Sequence, residues 1–213
     1  MAPRVARPAI YVLAGVNGAG KSSIGGRVLR RAGLDWFNPD TFTRELAEAT
    51  GCAVGDANAA AWQEGVRRLD AAIADGTTYA FETTLGGRTI ASKLRAANAT
   101  HDVLMWFCGL DSPEHHLARV RLRVSRGGHD IPEAKIRERW RASIANLIDL
   151  LPHLSQLQLY DNSRDASPGT AIPDPRLLLQ MEHGRIDWPT DAETLHATPD
   201  WAKPVLEAAL SMH

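Results

Sequence analysis

A run of residues near the start of the chain has the types and spacing needed to bind phosphate. The segment from Gly15 to Ser22 fits the pattern G-x-x-x-x-G-K-[ST], which is typical of a P-loop. Glycines allow successive backbone N–H groups to turn inward around a phosphate, and the helix that follows adds partial positive charge. The residues predicted to contact a bound nucleotide are Gly15, Val16, Asn17, Gly18, Ala19, Gly20, Lys21, Ser22 and Ser23.

Two side chains of this run carry further chemistry. Lys21 can reach the β- and γ-phosphates of ATP or GTP, and the Ser22 hydroxyl can join the coordination shell of Mg²⁺. The flanks suit the motif, because the apolar run 9–13 predicts a buried strand and residues 24–31 predict a helix. A P-loop alone indicates only phosphate binding, so it does not distinguish a kinase from a GTPase, a motor or a transporter ATPase.

Two acidic residues follow predicted strands, at the sheet edge where open α/β folds bind ligands. Asp40 comes after a short strand predicted at 35–37, and it could accept a proton from a substrate hydroxyl during phosphoryl transfer. It could equally be the N-cap of a helix predicted through residue 49, and the two roles are compatible. Glu82 follows a strand predicted at 77–81 and could orient a substrate hydroxyl or a metal-bound water. An ordinary solvated residue at a strand end is the alternative for Glu82.

An arginine-rich helix precedes a pair of glycines. Arg119, Arg123 and Arg126 are four and three residues apart, so they lie on one helix face. Beside the hinge Gly127-Gly128, such a face suits a lid that closes over phosphates and neutralises charge in the transition state. A solvated basic face is the alternative interpretation. His129, after the hinge, could contact substrate, although a lone histidine is more often structural.

The last predicted core strand, at 157–160, is followed by Asp161-Asn162-Ser163. In many nucleotide-binding sheets the adenine lies near the loop in this position. Asn162 is therefore a candidate contact for the base of the nucleotide. A simple polar turn explains these residue types equally well.

Strand and helix signals alternate along the chain, which predicts a three-layer α/β fold with a mostly parallel sheet. We expect one domain over residues 1–213, with a core at about 9–165 and a C-terminal extension at about 166–213. The other predicted strands are 103–107 and 177–179, and the other predicted helices are 59–75, a segment after Gly87, 112–126, 132–151 and 199–212.

Composition narrows the class of protein. The chain has 24 basic and 25 acidic residues, giving a net charge of −1, and the two signs are mixed along it. This balance argues against nucleic acid as a partner. Cys52 and Cys108 are far apart and lack the spacing of metal ligands, so free thiols in a cytoplasmic protein are expected. We find no pattern of a secretory signal and no stretch that predicts a membrane span.

The order and spacing of these motifs resemble the zeta toxin family over about residues 9–165, most closely its small bacterial branch often called predicted ABC-type ATPases. The Leu-Ser-Gly-Gly-Gln signature of ABC ATPases is itself absent from the sequence. The segments that carry the resemblance are Gly15-Val16-Asn17-Gly18-Ala19-Gly20-Lys21-Ser22, Phe37-Asn38-Pro39-Asp40, Phe81-Glu82-Thr83-Thr84-Leu85, Arg119-Val120 through Arg123-Val124, Gly127-Gly128-His129-Asp130-Ile131-Pro132 and Tyr160-Asp161-Asn162-Ser163.

The resemblance implies a P-loop kinase fold, similar to that of nucleoside monophosphate kinases, with a helical lid. It also implies transfer of the γ-phosphoryl group from ATP or GTP, with Mg²⁺, to a hydroxyl of a nucleotide sugar. UDP-N-acetylglucosamine is the best-known acceptor in that family, whose members are often held inactive by an antitoxin protein. Judged from the residues alone, a nucleotide-binding regulator and a slow ATPase with water as acceptor stay open as alternatives.

The resemblance also assigns roles, motif by motif. Lys21 and Ser22 match the residues that contact phosphate and Mg²⁺, and Asp40 matches the general base. A substrate-contacting acidic motif is matched by Glu82 and Thr83.

The lid is matched less closely. Arg123 and Arg126 fall where lid arginines stabilise the transferring phosphate, and the resemblance leaves open which of the two does so.

Overall fold

A six-stranded sheet organises the part of the chain that the computed structural model describes, which comprises residues 7–21, 25, 29, 33–128, 130–165 and 173–212. Its strands are β1 (Ala9–Ala14), β2 (Tyr79–Thr83), β3 (Asp102–Gly109), β4 (Gln156–Asp161), β5 (Arg176–Glu182) and β6 (Arg185–Trp188). They lie in the order β2-β1-β3-β4-β5-β6. The first four strands are parallel and the last two pair antiparallel, so the predicted mostly parallel α/β sheet is confirmed.

The helices follow the strands in the alternation that the sequence predicts. They are α1 (Pro39–Thr50), α2 (Val54–Asp75), α3 (Arg88–Ala97), α4 (Pro113–Val124), α5 (Glu133–Leu150), α6 (Ala192–His196) and α7 (Lys203–Leu210), with a 3₁₀ turn at Leu151–His153. Ser112 caps α4 through its side chain, and Gly51 and Gly76 end α1 and α2 in the left-handed conformation.

Alternation along β1 separates the two faces of the sheet. Ile10 and Val12 belong to the main apolar core, which they share with residues of α2, α3, α5 and α7. Leu13 faces the other way and packs so closely on Gly25 that a Cβ there would overlap it. The helical residue Leu29, on the same segment as Gly25, is fully buried. The sheet thus lies between helices on both faces, as the predicted three-layer arrangement requires.

Several predicted boundaries are wrong in their details. The predicted strand at 35–37 is reduced to one parallel bridge, between Phe37 and Phe81. Helix α2 begins at Val54, five residues before the predicted start at 59, and α4 ends at Val124. The sequence predicts neither β6 nor α6. The helix predicted over 199–212 is limited to α7.

The segment 173–212 adds to the same sheet and core. It supplies β5 and β6, and α7 contributes buried apolar residues to the main core. Trp201 lies against Gly109 at the end of β3, where a Cβ would overlap the indole ring. The indole N–H also donates to Asp161 Oδ1 at 3.3 Å. Among the helices in the described ranges, none has the length and apolar character that crossing a bilayer would need.

Candidate active site

The predicted phosphate loop joins the end of β1 to the helical residue Lys21. Gly15 has φ +137°, and a Cβ at this position would overlap the carbonyl oxygen of Cys108 on β3. Gly20 has φ +85°, and its α-carbon lies against the side-chain amide of Asn162. Both positions require glycine, so the loop can lie close to the neighbouring strands. Ser22 and Ser23, which the sequence also predicts to bind nucleotide, fall outside the described residues.

Hydrogen bonds from neighbouring elements hold the carbonyl oxygens of the loop. Ala19 O accepts from Cys108 Sγ and from Asn162 Nδ2, each at 2.9 Å. Asn17 O lies 2.8 Å from His116 Nδ1, which must carry the proton because a carbonyl can only accept. These side chains come from β3, the loop after β4, and α4. The curvature of the loop is therefore set from outside, by three different elements.

His116 and Cys108 are buried, and burial changes their proton affinities. Removal of the imidazole from water lowers the pKa of His116 to about 4, although the bond to Asn17 opposes this change. Burial raises the pKa of the Cys108 thiol to about 12. At neutral pH both groups are therefore uncharged hydrogen-bond donors to the loop rather than acids or nucleophiles.

Lys21 and Glu82 form a buried ion pair at the carboxyl end of the first two strands. Their Nζ and Oε1 atoms are 3.6 Å apart, and each side chain is 9% exposed. The lysine also lies 3.5 Å from Val16 O, inside the loop. In the register of β1 with β2, Leu13 is the partner of Glu82, which puts the carboxylate beside the start of the loop. Glu82 is thus not the solvated strand-end residue of the alternative interpretation.

The N-cap of α1 is Asn38, and the prediction that Asp40 caps this helix is wrong. Asn38 Oδ1 accepts from the backbone N–H groups of Asp40 and Thr41 at 2.9 and 3.2 Å. Pro39 fills the first helical position and Asp40 lies in the first turn, so Asp40 is already inside the helix and cannot be its N-cap. The Asp40 side chain is left pointing outward, 56% exposed, with Oδ2 3.3 Å from Arg123 Nη1.

A cleft of about 280 Å³ brings four of the predicted polar residues together. Among the residues that line it are Asn17, Asp40, Glu82 and Thr83. Its apolar wall is formed by side chains of the Phe37 bridge, α2, β2 and α3, namely Phe37, Trp62, Phe81 and Ile90. One residue of the predicted phosphate loop, the three carboxylates of Asp40, Glu82 and Asp130, and an aromatic wall therefore share one space.

A second cavity, of about 480 Å³, adjoins this cleft on the lid side of Asp40. Arg123, Gly127 and Gly128 line it together with residues of α1. Arg126 is exposed in the turn after α4 and lines neither space. The structure thus brings one of the two predicted lid arginines to the acidic residue and not the other. His129 is outside the described residues.

Arg119 and Asn162 lie beside the phosphate loop but line neither the cleft nor the second cavity. Arg119 donates to Asp165 Oδ1 at 2.7 Å and to the Asn162 carbonyl at 2.8 Å. This arginine lowers the pKa of Asp165, chiefly through the hydrogen bond to its carboxylate. Arg119 therefore joins α4 to the loop after β4, where a base contact is predicted, and it does not extend toward Asp40. The apolar side of α4 places Leu117 and Val120 in a small core.

Several side chains that the sequence did not predict also line the cleft, and among them Arg139 contacts the phosphate loop. Arg139 of α5 donates to Asn17 Oδ1 at 2.9 Å and lines the cleft. Its α-helix passes close to Gly86, where a Cβ would lie 2.6 Å from Arg139 Cγ. Nothing in the sequence separates Arg139 from the other arginines of α5. No cluster of three or more metal-ligating His, Cys, Asp or Glu side chains occurs within the described ranges.

Known proteins share this fold. No family model matches the chain. A shikimate kinase of Paramagnetospirillum magneticum (strain ATCC 700264 / AMB-1) is 34% identical over 96 residues, which are 42% of this chain and 48% of that protein. The alignment thus spans about half the length of this curated relative.

Two solved structures cover nearly the whole chain. The crystal structure of AvrRxo1-ORF1:-ORF2 with ATP has a TM-score of 0.64 at 16% identity, covering 96% of this chain and 64% of that one. A structure from the PezAT chromosomal toxin-antitoxin system of Streptococcus pneumoniae has a TM-score of 0.54 at 16% identity, covering 97% and 85%. The chain shares its fold with both of these structures, so the α/β fold that the sequence motifs imply is confirmed.

Proposed function

We propose that this protein is a kinase that transfers the γ-phosphoryl group of ATP or GTP to a hydroxyl group of a small molecule. The observation that carries the proposal is the cleft in which Asp40 and Glu82 face the same space as Asn17 of the phosphate loop. A protein that only bound nucleotide would have no need of a cleft lined by carboxylates beside that loop.

The phosphate loop suits a nucleoside triphosphate with Mg²⁺. Gly15 and Gly20 leave no room for side chains, and the Lys21 ammonium group is held inside the loop. Lys21 and Ser22 would hold the phosphates and the metal ion, and the bound nucleotide would supply the phosphoryl group. Asn162, beside the loop, would lie near the base.

Asp40 and the basic residues would share the work of the transfer. Asp40 would take the proton that the acceptor hydroxyl loses as its oxygen bonds to the γ-phosphorus, while the bond from that phosphorus to the β–γ bridging oxygen breaks and ADP or GDP leaves. Lys21 would neutralise the negative charge that develops on the β-phosphate of the departing nucleoside diphosphate. Arg123 would move from Asp40 to the phosphate oxygens, with Arg126 and His129 as further lid candidates, while Glu82 and Thr83 orient the acceptor.

For the acceptor we propose a nucleotide sugar such as UDP-N-acetylglucosamine. The resemblance to zeta toxins supports this choice. So does the cleft, whose aromatic wall of Phe37, Phe81 and Trp62 can contact a ring while the carboxylates bind hydroxyl groups. An antitoxin protein is the proposed partner, because one of the structures with the same fold comes from a toxin-antitoxin system. We expect the reaction to occur in the cytoplasm, where the nucleoside triphosphate and the nucleotide sugar are both made.

A phosphoryl-transfer screen tests the proposal. Purified protein, Mg²⁺ and ATP or GTP are incubated with a panel of nucleotide sugars and simple hydroxyl metabolites, and the products are identified by mass. We expect one acceptor to gain one phosphate, and we expect Asp40→Asn to stop this. Conversion of ATP to ADP with every acceptor unchanged would favour an ATPase instead. Tight nucleotide binding without turnover would favour a regulator.

A further inference from the structure

Asn38 lies between the two acidic segments of the cleft and contacts both. It follows Phe37, whose backbone pairs with β2 through bonds of 2.9 Å to Ala80 O and from Glu82 N. It precedes α1, which carries Asp40 in its first turn. The half-buried side chain of Asn38 therefore stands where the edge of the sheet meets the start of the helix.

The two ends of this side chain have different partners. Its Oδ1 accepts from the backbone N–H groups of Asp40 and Thr41, and its Nδ2 donates to Glu82 Oε2 at 2.7 Å. The other oxygen of Glu82 faces Lys21 Nζ at 3.6 Å. One side chain thus connects the backbone of Asp40 to a carboxylate that is paired with the lysine of the phosphate loop.

Asparagine suits this double contact better than the other residues that cap helices. Aspartate caps a helix equally well, but it has no N–H to offer Glu82. Serine also caps, but its single short hydroxyl group cannot reach across to β2 while it accepts from the helix. Only a side chain with an acceptor and a donor on the same planar group satisfies both sides.

We propose that Asn38 is a positioning residue of the kinase site. It holds the start of α1 and the Glu82 carboxylate in one fixed relation, so that Asp40 and Glu82 face the acceptor hydroxyl together. Asn38 acts through these two residues and does not itself touch the reacting atoms. This inference rests on the proposed function, since the relation matters only if an acceptor is phosphorylated between the two carboxylates.

Three variants separate the contact with Glu82 from the cap of α1. Asn38→Asp keeps the cap but turns a carboxylate oxygen toward Glu82. Asn38→Ser keeps the cap and removes the contact. The double variant Asn38→Asp/Glu82→Gln restores a hydrogen bond with donor and acceptor exchanged. Asn98→Asp, at the end of α3 and outside the cleft lining, is the matched control.

We expect kcat to fall by about 10- to 100-fold in Asn38→Asp and by about tenfold in Asn38→Ser, because the reacting groups lose alignment. In Asn38→Asp the acid limb of the pH profile of kcat should also move up by about one pH unit, because two facing carboxylates share a proton. In Asn38→Ser that limb should stay in place. The double variant should turn over faster than the product of the losses measured in Asn38→Asp and in Glu82→Gln predicts.

A second measurement does not depend on activity. The Glu82 carboxyl carbon is followed by NMR against pH in the wild type, in Asn38→Asp and in the control, with thermal melting to show that each is folded. We expect the Glu82 titration to move to higher pH only in Asn38→Asp.

The outcomes are distinct. Wild-type kcat and pH profile in both single variants, with acceptor phosphorylation intact, would overturn the proposal for Asn38. An unmoved Glu82 titration in Asn38→Asp would overturn it as well. A shifted titration together with a wild-type protein that phosphorylates no acceptor would overturn the kinase assignment, and would still support the link between Asn38 and Glu82.

Discussion

The Arg123 guanidinium group lies 3.3 Å from the Asp40 carboxylate, so the candidate lid arginine contacts the candidate base beside the second cavity, which both residues line. Neither side chain is deeply buried, being 37% and 56% exposed, and such a pair contributes little to stability. Under the proposed function the pairing would place a positive charge beside the carboxylate that we propose accepts a proton. Arg123 can leave Asp40 at small cost when phosphate oxygens offer a stronger partner.

Asp40→Asn should remove the base while leaving the nucleotide site intact. We expect kcat to fall by about 100- to 10,000-fold, which is the usual contribution of a positioned general base. The dissociation constant for ATP, measured by calorimetry, should change by less than about threefold, because Asp40 lies on the acceptor side. Glu45→Gln, on the same helix and outside both cavity linings, is the control that should keep wild-type turnover. Equal kcat in the two variants would exclude Asp40 as the base.

Substitution of the lid arginines should show which one acts on the transition state. Arg123 lines the cavity beside Asp40 whereas Arg126 does not, so we expect Arg123→Ala to lower kcat about 100-fold and Arg126→Ala to lower it much less. In Arg123→Ala the KM for ATP should change far less than kcat. Arg121→Ala, which removes an exposed arginine that pairs with Glu133 at 3.6 Å, is the matched control. A larger loss in Arg126→Ala would show that the lid brings Arg126 inward when it closes.

Lys21→Ala should affect both catalysis and stability. Turnover should be abolished and ATP binding weakened, because the phosphates lose their cation. The free energy of unfolding should also fall by about 3 kcal/mol, since the buried Glu82 carboxylate loses this partner. Adding Glu82→Gln should recover part of the stability measured by urea denaturation, and none of the activity. If the double variant unfolds as readily as Lys21→Ala, then the ion pair is not the source of the loss.

The parts of the site that the sequence predicts are those with local signals. The P-loop has a fixed sequence pattern. Short-range apolar periodicity predicts the two strands after which Glu82 and Asn162 lie. Asn38 and Arg139 had no such signal, because their contacts with Glu82 and Asn17 join residues 44 and 122 positions apart. Only the packing of α1 and α5 against the sheet brings these pairs together.

The missed elements of the fold have physical causes too. Helix α2 extends back to Val54 although Ala53 offers no side-chain cap, so no start signal marks its first turn. Strand β6 is short, lies at the edge of the sheet and has no fully buried residue, so its alternation is weak. Asp40 resembles a cap because it precedes a helical pattern, but Pro39 occupies the first helical position, so the cap lies two residues before Asp40, at Asn38.

Stability should depend on pH through His116. Its pKa is about 4 in the folded protein, because it is buried, and about 6.5 when the chain is unfolded. Between these values the unfolded chain takes up a proton that the folded protein does not, so the free energy of unfolding falls as pH falls from about 6.5 to 4. Each tenfold change in proton affinity corresponds to about 1.4 kcal/mol, so the loss is at most about 3 to 4 kcal/mol.

The variant His116→Asn isolates this contribution. Its amide nitrogen can donate to Asn17 O as the imidazole Nδ1 does, but it does not titrate. Urea denaturation at several pH values should give a shallower decline for His116→Asn than for the wild type between pH 6.5 and 4. Parallel curves would mean that His116 takes up its proton in the folded protein as readily as in the unfolded chain.

Trp201→Ala tests whether the C-terminal segment is part of the folding unit. The indole ring is 6% exposed, packs on Gly109 and belongs to the main core, so its removal leaves a large cavity. We expect the free energy of unfolding to fall by about 3 to 5 kcal/mol, in a single transition seen by both fluorescence and circular dichroism. Trp62→Ala is the matched control, because that ring is 53% exposed and its loss should cost less than about 0.5 kcal/mol. Trp62 lines the cleft, so the same control should raise KM for the acceptor if a ring stacks there. A small loss of stability in Trp201→Ala, with catalysis unchanged, would instead mean that residues 173–212 add little to the unit that carries the site.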